Sequence, residues 1–431
     1  MVPFGFTPDD GDDAANRENL EAMMRRMQEQ IQKQFEQLGI NSAAGFPFAG
    51  FGGGTQEALP LAPVRDTGKK FVSAQGSQPL GTNDVTAVNN ACEIADIWLN
   101  EATDFPATSS TATRAISRLD WIDETLPGWQ ATMEPLATGL SAAISRLLDE
   151  AMNSAGSEYE EQMAAAPIGA IAGLLRTFIG SMIATQLGQA IGGIATTATG
   201  AHDVGLPILD PARPLLIPEN IEAWGADTEI PKSEIYLFHA LREGAIARLF
   251  EHNPWIVSYI RSAIVAYGAG IKIDLDAIQR QAEEAMQGMN EQSFTINLDS
   301  GIFTPEETPA QREALSKLET VLALVDGWAD DVATLAAGDR IPSITALREL
   351  HRRKRATSAP SQQLFKTMLG LEVSPKLSRE ASAFWSRVRE LKGTSARDQI
   401  WSGILPSATE LLAPDLFLAS TEIPDDLSGL I

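Results

Sequence analysis

Apolar residues recur at spacings of three and four along most of the chain from Asn83 to Lys392, a periodicity that leaves room for little besides helices. Helical patterns run over 84–102, 114–124, 129–155, 157–199 with a break at Pro167, and 231–250. They continue over 254–269, 274–289, 309–337, 344–357, 362–371 and 376–392. Strand signals are scarce, limited to Phe294–Leu298 and the proline-bounded Leu215–Ile217. The expected fold class is therefore mainly α: an irregular multi-helix body with few short strands. No internal repeat of about 20 to 50 residues is found, which argues against a helical solenoid.

The first 80 residues read differently. An acidic run, Asp9, Asp10, Asp12 and Asp13, predicts disorder, and Leu20, Met24, Met27, Ile31, Phe35 and Leu38 then form one stripe of a helix over about 15–38, stopped by Gly39. A helix of this kind docks on its own body or pairs with a second copy of the chain. From Asn41 to about Leu80 a mixture of Gly, Ala, Pro and Phe reads as linker. The expected organisation is a flexible acidic and Gly/Phe-rich extension over 1–80 and a helical domain over 81–431.

Charge narrows the function classes. The chain has 57 acidic and 33 basic residues, a net charge of −24, which repels nucleic acid and anionic lipid over most of its surface. The one cysteine, Cys92, forms no internal disulfide and reads as a small buried residue. Residues 1–13 carry neither the basic nor the apolar region of a signal peptide, so the expected location is cytoplasmic. The segment 177–200 has no charged residue and holds Gly188 and Gly192 at G-x-x-x-G spacing. Its Gln186, Gln189, Ser181 and five threonines dilute it too far for a stable membrane span, so a buried helix with close glycine packing is expected.

The most informative stretch is 231–274, PKSEIYLFHALREGAIARLFEHNPWIVSYIRSAIVAYGAGIKID. Its A-L-R-E-G-A-I-A-R-L-F, N-P-W and A-Y-G-A-G-I-K-I-D strings resemble the zincin-like metallopeptidase type 2 family, bacterial proteins often labelled hydrolases or zinc-dependent metalloproteases. Asp203–Pro207, Leu216–Asn220, Ala314–Ala329, Leu347–Ala356, Phe365–Leu371 and Arg397–Trp401 are similar too, so the resemblance spans about Val88 to Phe417. It implies a zincin-like helical body.

The chemistry the resemblance implies is a helical H-E-x-x-H, with two imidazoles four residues apart on zinc and the glutamate as general base. The corresponding residues here are Arg242, Glu243, Gly244, Ala245 and Ile246, so only a vestigial Glu243 survives. Ile246 has no lone pair, and Arg242 is a permanent cation. A guanidinium within ~4 Å of a divalent ion is repelled by roughly 8 kcal/mol at an effective dielectric near 20. The position of a third ligand, by resemblance, holds Asp326. No metal and no other cofactor is therefore expected. Glu243 either pairs with an arginine of a neighbouring helix or remains a residual general base.

The four histidines, His202, His239, His252 and His351, offer few substitutes, although His239 and Glu243 share a helix face. No nucleophile elbow, phosphate-binding loop or dinucleotide fingerprint is found. The basic cluster Arg348, His351, Arg352, Arg353, Lys354 and Arg355 reads as an ion-paired helix end, an anion patch, or a dock for the acidic tail. Trp98, Trp224, Trp255, Trp328 and Trp385 sit in apolar periodic segments and read as core. The expected function is a non-catalytic binding or regulatory scaffold with a protein or peptide partner and self-association through the N-terminal helix. The alternative is a hydrolase or peptidase with unconventional active-site residues.

Overall fold

Burial of apolar helix faces against one another builds the body, which is seen in a computed structural model describing residues 59–110, 112, 114–154, 168–270, 308–358 and 377–421. Among these, eleven α-helices follow in order: α1 Leu61–Gln75, α2 Thr82–Ala102, α3 Arg118–Ser154, α4 Ile168–Ala195, α5 Pro218–Gly225 and α6 Lys232–His252. They continue as α7 Pro254–Ala269, α8 Pro309–Ala337, α9 Ile344–Ser358, α10 Ser378–Gln399 and α11 Pro414–Thr421. The described residues all lie in one unit, Ala58–Ile431. The mainly α expectation holds, and no described helix is long and apolar enough to cross a membrane.

Several boundaries follow from local chemistry. Prolines open α5, α7, α8 and α11, where the missing N–H is an orphan anyway. The Thr308 side chain accepts from the Gln311 amide at 3.2 Å while Gln311 returns a bond to the Thr308 N–H at 3.1 Å, a reciprocal cap for α8. Asp84 likewise takes the Gly81 N–H at 2.9 Å at the start of α2.

Other elements differ from the sequence expectation. The patterns at 114–124 and 129–155 belong to one helix, α3, which runs through Pro127 and Pro135. Beside Pro127, Thr125 Oγ1 donates to Trp121 O at 2.7 Å and accepts from Trp129 Nε1 at 3.1 Å. The expected linker contains α1, with Val64, Gly68 and Val72 buried at spacings of four. The expected N-terminal helix, Pro167, 274–289, Phe294–Leu298 and 362–371 lie outside the described residues.

Strand pairing among the described residues is confined to isolated bridges, where Leu216 joins Ala115 on one side and Gly200 on the other. Leu216 N donates to Arg114 O at 2.7 Å, Ile116 N to Leu216 O at 3.0 Å, and Ile217 N to Thr199 O at 2.9 Å. These short pairings fix the chain around 199–203, a segment that later bears on the site.

Gly188 and Gly192 act as the small-residue pair expected of them, inside the protein. α4 packs along α1, and a Cβ on Gly188 would sit 2.6 Å from Val64 O, while one on Gly192 would meet Gly68 O at 2.9 Å. The tryptophans form a second focus: Trp328, Trp385 and Trp401 are fully buried, with Trp385 stacked on Trp401 at 5.2 Å. The Gly188→Val substitution forces the α1 backbone away from α4 and is expected to lower stability by about 1–3 kcal/mol, read as a lower urea midpoint at unchanged slope.

Candidate functional site

Helix α6 is buried on every side. Fifteen of its 21 residues are buried, including His239, Arg242, Glu243 and Arg248. Each buried charge then needs an internal partner. Arg248, fully buried, spends its guanidinium on Asp96 O at 2.9 Å, Asn100 Oδ1 at 2.9 Å and Phe105 O at 3.2 Å, tying α6 to α2 and to the loop beyond it.

Glu243 finds its partners in backbone amides. Its Oε1 accepts from Ala201 N at 3.0 Å, Leu215 N at 3.2 Å and His202 Nδ1 at 2.8 Å, and its Oε2 accepts from His202 N at 3.1 Å. The bridged segment around Leu216 supplies these donors, and Gly200 lets it approach, since a Cβ there would lie 2.4 Å from Oε2. This corrects the expected arginine pairing. Among the described residues no arginine pairs with Glu243, and the neighbouring loop presents N–H groups to that face of the helix.

Arg242, one residue earlier, faces α8. Its guanidinium pairs with Asp326 at 2.5 Å and with Asp330 at 3.6 Å. The arginines of α9 reach the same two carboxylates: Arg355 contacts Asp326 at 3.1 Å, and Arg348 and Arg352 contact Asp330 at 2.7 and 2.9 Å. Ser382 Oγ of α10 also donates to Asp330 at 2.6 Å. Of the three readings of the basic cluster, the ion-paired helix end describes these arginines. Burial raises the Asp326 and Asp330 pKa values, but Arg355, Arg242 and His351 hold Asp326 well below the usual range. Arg348 and Arg242 bring Asp330 to about 2.

The histidines serve different neighbours. Asp203 Oδ2 accepts from the Thr199 N–H at 3.0 Å and from its hydroxyl at 3.1 Å, and Thr199 Oγ1 meets His239 Nδ1 at 3.0 Å. The hydroxyl has one proton and gives it to the carboxylate, so His239 donates through Nδ1. Its Nε2 is buried without a partner, as is that of His202. Burial drives the His239 pKa down to about 3, helped by His351, Arg242 and Lys354 against the opposing pull of Asp203. His351 is lowered as well, by burial and by Arg242. His252 sits apart, with Nε2 3.2 Å from Pro106 O. Burial pushes the Cys92 thiol up to about 12, which leaves it an unreactive core residue.

A family model described as zincin-like metallopeptidase matches residues 62–418. The chain belongs to that family. No curated protein matches it significantly. Among solved structures, a protein from Chloroflexus aurantiacus described as a "putative hydrolase with a novel fold" is similar at a TM-score of 0.56 and 16% identity, over 84% of this chain and 98% of that one. At that identity the likeness concerns the fold.

Zincin-like chemistry needs donors with free lone pairs converging on one point. At the positions the resemblance singles out, Arg242 is ion-paired to Asp326, Glu243 has both oxygens engaged, and Ile246 is a buried hydrocarbon. Among the described residues no group of three or more His, Cys, Asp or Glu is arranged to hold a metal ion. Sequence reasoning missed Asp330, Thr199 and Asp203. Asp330 was within reach, since Asp326 and Asp330 are four apart on α8 and face arginines spaced 348, 352 and 355. Asp203 lies in a single 3₁₀ turn, His202–Val204, too short to give a periodic signal, and only its segment's resemblance to the family marked it.

Replacing Glu243 by Gln turns an N–H donor toward amides that all donate, so Glu243→Gln is expected to lose about 3 kcal/mol of stability in chemical denaturation. The pH dependence has a definite sign. Unfolded His239 takes up a proton near 6.5 and the folded form only near 3, so the unfolded state binds more protons between these values. Stability therefore falls as pH drops from 6.5, and Asp330 adds a loss in the same direction between 3.8 and about 2. His239→Asn, which keeps a donor toward Thr199, is expected to flatten the urea midpoint against pH between about 6.5 and 4.

Proposed function

We propose that this family member works without zinc, as a non-catalytic binding or regulatory scaffold for a protein or peptide partner. The observation that carries the reading is the Arg242–Asp326 ion pair, which fills with a guanidinium the place where the family resemblance puts a ligand and its metal. A fixed cation at that point opposes a divalent ion, and Asp326 is already neutralised by Arg242 and Arg355. Glu243, with four N–H donors on its carboxylate, lacks the free lone pair and the access to water that a general base needs. The donor set does not fit the metal, so no catalytic step is derived through it.

Other features support the same direction. The charge of −24 and the neutralised arginines of α9 argue against a nucleic-acid partner. The sequence of 1–80, acidic and carrying an amphipathic stripe, suits self-association or partner capture, and a cytoplasmic setting agrees with its composition. A second reading, a hydrolase using unconventional residues, draws on the family and on the buried Nε2 of His239, an unpaired acceptor oriented by Thr199 and Asp203.

Elemental analysis of protein purified without chelator, run beside a broad peptide-cleavage screen, separates the two. Substoichiometric zinc and no cleavage are expected. Stoichiometric zinc with cleavage blocked by a chelator reverses the assignment. Deleting residues 1–54 is expected to lower the oligomeric mass measured by light scattering, and an unchanged mass removes self-association from the proposal.

A further inference from the structure

Helix α9 is held to its neighbours mainly by charge. Of its apolar side chains Leu347 is fully buried and Ile344 partly so. Leu350 is half-buried and the His351 ring is buried, while the rest of the inward contacts are polar: Arg348 and Arg352 on Asp330, Arg355 on Asp326 and, at 3.8 Å, on Asp203, and Lys354 Nζ donating to Trp224 O at 2.8 Å. Just before the helix, Ser343 N donates to the Glu234 carboxylate at 3.0 Å. Beneath α9 lies the face of α6 that carries Phe238, His239 and Arg242, with the Phe238 ring 5.8 Å from that of His351.

Charged and apolar closures differ in what happens when they open. Parting an apolar pair exposes hydrocarbon, at a cost proportional to the area uncovered. Parting a desolvated ion pair returns both groups to water, and the hydration regained offsets most of the attraction lost. The carboxylates beneath α9 are not left bare either, because Asp326 and Asp330 keep Arg242, and Asp330 keeps Ser382. The packing of α1 on α4 through glycines contains no such compensation, and α8 on α10 adds the fully buried Trp328 and Trp385 rings to the Arg397–Asp331 ion pair, so parting either uncovers apolar surface that α9 does not carry.

We propose that α9 is a strap across this face of α6, able to swing open as a unit while the apolar helix pairs stay closed. Opening uncovers Arg242 and His239, whose Nε2 has no partner in the closed form. The inference does not depend on the metal-free reading, since no step of it involves a metal.

Native-state hydrogen exchange on the full chain tests it. The amides of 344–358 are expected to share one opening free energy, and to exchange at least about tenfold faster than those of α6 and α8. Arg355→Gln, which removes the contacts to Asp326 and Asp203, is expected to speed α9 exchange a further tenfold or so while leaving α2 and α4 unchanged. Arg353→Gln, at an exposed residue whose ion pair among the described residues is with Glu349 of its own helix, should change nothing. Exchange of α9 in step with α6 in the unmodified protein overturns the proposal, as does graded fraying inward from Ser358. If Arg355→Gln does not fold, the comparison of α9 with α6 in the unmodified protein decides alone.

Discussion

A helix buried on all sides cannot carry charges without dictating its surroundings. α6 carries Arg242, Glu243 and Arg248 within two turns, and each is desolvated. In an interior of low dielectric an unpaired one would be worth several kcal/mol against folding. Three different neighbours are recruited as a result. α8 supplies Asp326 and Asp330, the bridged loop supplies N–H groups, and α2 supplies Asp96 and Asn100. The positions of α2, the 199–216 segment and α8 around α6 are thus fixed by charge complementarity as well as by apolar packing. The arginines of α9 complete the set by neutralising what Arg242 alone leaves on Asp330.

The readable part of this arrangement was the part with a period. α7 and α8 fall at the bounds set by Pro254, Pro309 and their apolar stripes, and Gly188 and Gly192 announced a close helix contact. α1 was missed because its sequence, LAPVRDTGKKFVSAQ, shows only a narrow stripe of Val64, Gly68 and Val72, which needs α4 opposite to make sense. α3 was read as two helices because Pro127 normally ends one, whereas tertiary packing carries it through. Within the site, Arg242, Glu243 and Asp326 were legible from the family resemblance. The partner of Glu243 was not, since backbone amides leave no signature in a sequence; only Gly200, a residue without the Cβ that would collide with Glu243, hints at it.

Family membership and the likeness to a bacterial protein described as a hydrolase concern the chain's body, and a body of this kind serves chemistry only through its site. A divalent ion and an arginine solve one structural problem in two ways, because either can gather carboxylates from separate helices around positive charge. They differ in what remains. A metal with an open position polarises water or a carbonyl, whereas a guanidinium that donates to Asp326 and lies beside Asp330 has no vacant orbital to offer. In the metal-free reading proposed above, the arginine supplies cohesive charge to the carboxylates of α8 and none of a metal's Lewis acidity.

The same ion pairing goes with burial of the middle of the charge centre, where Arg242 and Asp330 are both buried. A catalytic metal site keeps an entrance for its substrate, but carboxylates neutralised by arginine gain most when water is excluded, since the attraction strengthens as the local dielectric falls. α9 covers part of the centre with its own half-exposed arginines, so partial closure and neutralisation come from one helix. A lid of the kind proposed is held at a balance between attraction and hydration, which would set it at the low-stability end of the helices around α6. Any partner that engages this face of α6 meets α9 first, and the work of binding includes the work of lifting it.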